Sequence, residues 1–159
     1  MRPPVDDTWV ALSEQPLPLG TVAEWAARPD CGAQVMFTGT VRDHAEGRPG
    51  VSALEYEAYA EQAEARLAAI AGEARRHWPG VGRIALLHRA GVLGVGQAAV
   101  VVAVATTHRA EAFAAARYCI DTLKATLPMW KKETWEGGHD WSPAATDVGA
   151  GVETGTPAP

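Results

Sequence analysis

The sequence predicts an α+β domain, with a mixed or antiparallel sheet and helices packed on one side. Two long segments, 60–78 and 108–127, carry apolar residues at helical spacing, so each is a helix with one buried face. Shorter segments alternate apolar and polar residues, or run apolar without a break, as strands do. The order along the chain is helix, strand, strand, helix, strand, strand, helix, short strand. That order suits helices segregated from a sheet of paired strands.

The elements follow in turn. Residues 1–20 form a proline-rich segment, and "TWVALS" within it reads as an edge strand. "LGTVAEWAARPDCG" predicts a short helix, with Thr21 and Glu24 spaced as a capping box and Pro29 near its end. "AQVMFTGTVR" (33–42) predicts a strand with Val35 and Phe37 on one face. "DHAEGRPG" (43–50) reads as a mobile loop. "VSALEYEAY" (51–59) predicts a strand with Leu54, Tyr56 and Ala58 on one face and Glu55, Glu57 and Tyr59 on the other. In the helix over 60–78, Ala63, Leu67, Ile70, Ala74 and Trp78 make the inner face. "RIALLHRAG" predicts a strand, "VLGVGQ" a turn, and "AAVVVAVATT" a strand apolar on both faces. The last long helix, 108–127, is expected to bury Phe113, Ala116, Ile120 and Leu123, and Pro128 ends it. The segment from Ser142 to the end lacks large apolar side chains and reads as a disordered tail (142–159) after a single domain (1–141).

Bulk composition narrows the function. A chain of 159 residues suits one domain with a real core. A formal net charge of −5 argues against general binding to nucleic acid or an acidic membrane, so any anion site must be local. Cys31 and Cys119 sit in no metal-binding or redox spacing and read as reduced thiols of a cytoplasmic protein. The N-terminal ten residues have no signal-peptide character, and the longest apolar run, 98–105, is too short to span a bilayer. The histidines form no HxH or HExxH pair, so neither a metal nor another cofactor is expected.

Three stretches carry candidate chemistry. In "ATTHRAEAF", a buried strand hands over to a helix at His108 and Arg109. Cations at a helix N-terminus oppose the dipole, a cost that a bound anion would offset; the alternative is an Arg109 that faces solvent. In "FTGTVRDH", Arg42 stands where a strand leaves the sheet, either to meet a ligand or to pair with Glu55 or Glu57 across a hairpin. In "LKATLPMWKKE", Lys124 lies in a last helical turn, and Lys131 and Lys132 follow Pro128 in an extended segment, so their side chains diverge. One of them can turn toward Lys124. An ammonium near other cations and desolvated by Met129, Trp130 or Trp135 has a lowered pKa and can act near neutral pH; the alternative is a basic surface strip.

"FTGTVRDH", "LEYEAY", "HRAGVLGVGQAAVVVAVATTHRAEAF" and "LKATLPMWKKE", in this order and spacing, resemble the large, catalytic subunit of molybdopterin synthase over about residues 33–141. The resemblance implies an α/β hammerhead fold. It implies sulfur transfer to cyclic pyranopterin monophosphate, which forms the dithiolene of molybdopterin. The sulfur donor it implies is a small ubiquitin-like subunit ending in a Gly-Gly thiocarboxylate. The implied assembly is a dimer of large subunits within a heterotetramer. By position in the matching motifs, Lys124 and Lys131 are the implied catalytic lysines. Lys124 would be the acid/base or covalent residue, and Lys131 would orient the thiocarboxylate. Arg42, His108 and Arg109 are implied to grip the pterin phosphate, and Thr40, Val41, Lys132 and Glu133 complete the implied substrate-binding set. Thr40 departs from relatives that carry lysine there. Two other readings remain open: a non-catalytic module that binds a small anion or a partner's Gly-Gly tail, and an unrelated α+β dimer with surface lysines.

Overall fold

The computed structural model describes residues 1–45 and 48–144. Residues 145–159, most of the expected tail, lie outside the described residues. Two four-stranded sheets share one large core. The first is ordered β1 (Thr8–Ser13), β6 (Val81–Arg89), β8 (Ala98–Thr106), β2 (Ala33–Thr40). The second is ordered β10 (Gly138–Pro143), β9 (Met129–Trp135), β5 (Val51–Ala58), β7 (Gly91–Gly94). Strand β1 is an edge strand, as its sequence suggests, and runs parallel to β6; the other pairs are antiparallel.

The doubly apolar strand is the centre of the first sheet, because both of its faces are covered. Val100, Val102 and Val104 pack into the core beneath α2 (Ala60–His77) and α3 (Arg109–Thr126). Val101 and Ala103 point the other way, with Ala85 and Leu87 of β6, against Val22, Trp25 and Ala26 of α1 (Leu19–Ala26). The α+β class holds, but the helices do not all lie on one side. The sheet's second apolar face needs cover too, and α1 supplies it.

Other local expectations change for identifiable reasons. Helix α1 begins earlier than a Thr21–Glu24 capping box would allow. Pro18 is its N-cap, with no side-chain cap bond, and its carbonyl accepts the Val22 N–H at 2.9 Å. The "VLGVGQ" turn contains strand β7. Gly91, at φ 77°, lets the chain leave β6 and enter the second sheet at once, and Leu93 is buried opposite Leu54. In the expected loop over 43–50, β3 (His44–Ala45) pairs with β4 (Arg48–Pro49). Strand β10 carries Ser142 and Pro143, which were expected in the tail, and Ala144 N–H donates to the Met129 carbonyl at 2.9 Å. A backbone ladder needs no large side chains. The buried face of α3 is Ala112, Ala115, Ala116, Cys119 and Leu123; Phe113 is 65% exposed and Ile120 half-buried. Small residues on that face let the helix lie close to β2 and β8.

The inner face of α2 matches its sequence pattern, with Ala63, Leu67, Ile70 and Ala74 fully buried. Leu67→Ala should therefore leave a cavity and cost about 2–5 kcal/mol, read as a lower denaturant midpoint at unchanged slope.

Candidate functional site

Helix α3 ends at Leu127, where the backbone is already extended, and Pro128 prevents any further turn. Strand β9 starts at the next residue. Within seven positions the chain passes from Lys124, in the last turn of the helix, to Lys131 in the strand. The register of β9 on β5 sets Lys131 opposite Tyr56 and Glu133 opposite Leu54. These four side chains face the cavity that also receives Lys124 from above. Thr40 and Arg42, at the end of β2, and His88, near the end of β6, complete its wall. A register shift between Gly39 and Thr40 turns the end of β2. A Cβ on Gly39 would lie 2.7 Å from a Val100 methyl, so only glycine fits beside the central strand there.

Cations dominate this cavity. Lys131 Nζ is 3.0 Å from the Glu133 carboxylate, which is itself buried. Arg42 makes no ion pair among the described residues; Glu55, once a candidate partner, holds Lys132 instead at 3.3 Å. Lys124 is half-buried, with Leu123, Leu127 and Met129 among its neighbours in the cavity wall. Burial is the main cause that pushes its pKa below the ordinary lysine value; the charges of Lys131 and Arg42 push the same way. An amine in that position exchanges a proton more readily near neutral pH than a surface lysine does.

Two cavity residues carry polar chemistry that motif reading did not assign. Tyr56 is buried, and its phenol is pushed up to about 12 by burial and by the Glu133 charge, so it remains an O–H donor. His88 is 4% exposed and meets the Tyr56 ring edge-on at 4.9 Å. The available signal was a histidine in an otherwise apolar strand, and only the sheet register shows which side it takes.

Not every residue in the implied set reaches this cavity. His108 is the N-cap of α3 and Arg109 its first residue, both exposed. Lys124 lies fifteen residues beyond Arg109 on the same helix, which separates them by roughly 22 Å at 1.5 Å per residue. Within one chain, the His108–Arg109 pair and Lys124 are therefore separate. Lys132 projects from the opposite face of β9, toward Glu55 and over the Trp141 ring at 5.4 Å. Val41 is a core residue. Its N–H donates to the Gln97 carbonyl and its own carbonyl accepts from Gly96, so its backbone is fully engaged. Trp130 is 54% exposed and lies outside the cavity; Met129 is the residue that helps dry it.

This arrangement defines a class: an α+β domain with a cationic, partly dry pocket around a lysine of lowered pKa, suited to group transfer on an anionic substrate. The chain belongs to the MoaE protein family, whose model matches residues 12–126. It is 44% identical to the molybdopterin synthase catalytic subunit of Taeniopygia guttata, over 84% of this chain and 85% of that protein. It is 42% identical to the molybdopterin synthase catalytic subunit of a Nostoc species, over 98% of this chain and 91% of that protein. The crystal structure of molybdopterin synthase from Staphylococcus aureus aligns with a TM-score of 0.78 at 38% identity, covering 83% of this chain and 95% of that one. No helix among the described residues is long and apolar enough to cross a membrane.

Burial pushes the His88 pKa down to about 4 from 6.5, so the folded chain holds this ring neutral. Between those values the unfolded chain binds a proton that the folded chain refuses. His88 therefore lowers stability as pH falls through that window and has no such effect above it. His88→Gln should reduce the loss of stability between about pH 7 and pH 4.5 by roughly 2 kcal/mol, measured by denaturant titration at both pH values.

Proposed function

We propose that this chain is the catalytic subunit of a molybdopterin synthase. It moves sulfur from the C-terminal thiocarboxylate of a small ubiquitin-like carrier to cyclic pyranopterin monophosphate, in the cytoplasm. The observation that carries the reading is Lys124: a half-buried amine of lowered pKa between Lys131 and Arg42. Both the phosphorylated pterin and the thiocarboxylate are anions, and an acidic chain needs a local positive field to bring them together. Addition of sulfur to the pterin side chain develops negative charge on oxygen and requires proton delivery. Lys124 supplies the proton, while Lys131, backed by Glu133, holds the carboxyl end of the carrier. Arg42 and Thr40, at the cavity edge, take part in binding the substrate.

His108 and Arg109 enter this reading from a second copy. Both are exposed on one chain and far from Lys124, so a dimer of large subunits is the route by which they grip the phosphate beside the lysines. A wide groove lined by Tyr59, Trp130 and Trp141 meets the cavity at Tyr56, Leu127 and Met129, which suits the approach of an extended peptide end.

Incubation with the pterin monophosphate and a thiocarboxylated carrier should yield dithiolene product. Lys124→Ala should lower turnover by about 10²–10⁴-fold while the variant stays folded and still binds the carrier. Near-normal turnover in that variant would refute the role of Lys124. Carrier binding without any change in the pterin, in the wild-type chain, would favour a non-catalytic binding module.

A further inference from the structure

His88 lines this cavity, and no sequence motif assigns it a role there. Its Nδ1 lies 2.8 Å from the Arg89 backbone carbonyl oxygen. A carbonyl only accepts, so Nδ1 carries the proton of the neutral ring. Nε2 is then an unprotonated acceptor. It has no protein hydrogen-bond partner among the described residues, yet it is not among the sealed, unsatisfied side-chain atoms, where only Arg89 Nε is found. His88 lines the cavity, so that is where Nε2 is open. The Lys124 charge lies close enough to disfavour protonation of the ring.

The groups facing Lys124 make this neutral acceptor significant. Strand β9 presents Lys131 and Glu133, the end of β2 leads to Arg42, β3 presents His44, and β5 presents Tyr56. Glu133 is engaged by Lys131. A carboxylate placed against Lys124 would hold its ammonium form; an imidazole nitrogen accepts from either the ammonium or the free amine and adds no charge. Such a partner fixes the direction of the amine and still lets it lose a proton.

We propose that His88 is a positioning residue for Lys124: fixed as the Nδ1–H tautomer by the Arg89 carbonyl, it offers Nε2 to the Lys124 amine and orients that amine toward bound substrate. This deepens the sulfur-transfer reading and rests on it for the meaning of the positioning. In this structure Nε2 has no partner among the described residues, so the Lys124 side chain must turn within the cavity to meet it; that bond is testable without turnover.

The measurement is acetylation of Lys124 by acetic anhydride in the full chain near pH 7, followed by peptide mass spectrometry. Lys132, on the far face of β9, is the internal reference. His88→Asn retains a donor for the Arg89 carbonyl but lacks the acceptor at the Nε2 position. Its ammonium form loses a hydrogen bond, so the Lys124-to-Lys132 labelling ratio should rise about three- to tenfold. His88→Gln, whose longer amide reaches the Nε2 position, should return the ratio to within about twofold of wild type. His88→Phe, which keeps the bulk and has no acceptor, should follow His88→Asn. An unchanged ratio in the Asn and Phe variants, or a Gln variant that behaves like them, overturns the proposal. In the turnover assay, Lys124→Ala with His88→Asn should be no slower than Lys124→Ala alone; an additive loss overturns it as well. If the wild-type chain makes no dithiolene, the sulfur-transfer reading fails, and the labelling ratio still decides the contact between His88 and Lys124.

Discussion

The break at Leu127–Pro128 is the constraint on which the site depends. Proline cannot continue α3, and the residue before it is driven out of the helical region. The chain therefore leaves the helix already extended and pairs at once with β5. Helix and strand belong to different layers of the core, yet their junction is only two residues, Leu127 and Pro128. Lys124 and Lys131 meet across that junction, and the strand's alternation decides that Lys131 and Glu133 face inward while Lys132 faces out. A longer connection would leave the separation of the two lysines unspecified.

The electrostatics follow from that placement. Three cations at one cavity would repel one another severely in a dry environment, but the charges are unevenly compensated. Lys131 has a buried carboxylate at 3.0 Å. Arg42 is exposed, where water screens it. Lys124 has burial without a carboxylate, and its pKa falls for that reason above all. The same surroundings keep Tyr56 protonated and His88 neutral. The pocket thus contains a labile amine, a fixed cation, and two neutral groups that can donate or accept. For this MoaE-family chain, with its overall negative charge, the positive field at this cavity is a local construction and owes nothing to the bulk charge of the protein.

Much of the fold was legible. Ala63, Leu67, Ile70 and Ala74 of α2 stand at helical spacing, and the valines of β8 announce a strand covered on both faces. Where the reading failed, a weak local signal met a strong tertiary one. Thr21 and Glu24 have the spacing of a cap, but the Pro16–Leu17–Pro18 segment starts α1 earlier. Phe113 outranks an alanine in hydrophobicity, yet close packing against the sheet favours alanine on that face. Gly91 and Gly94 look like turn residues, and they bound a short strand whose partner, β5, lies more than thirty residues away.

The sequence by itself determined the chemical types at the site and their order: arginine after a strand, lysine in a last helical turn, two lysines after a proline. These are local facts, set by propensity, alternation and the stereochemistry of proline. The tertiary structure alone decided that His88 and Tyr56 join Lys124, that Lys132 and Val41 do not, and that His108 and Arg109 stand a helix length away. Strand register and sheet order bring together residues distant in the chain, and no local pattern encodes which face of one strand will meet the end of a helix formed much later.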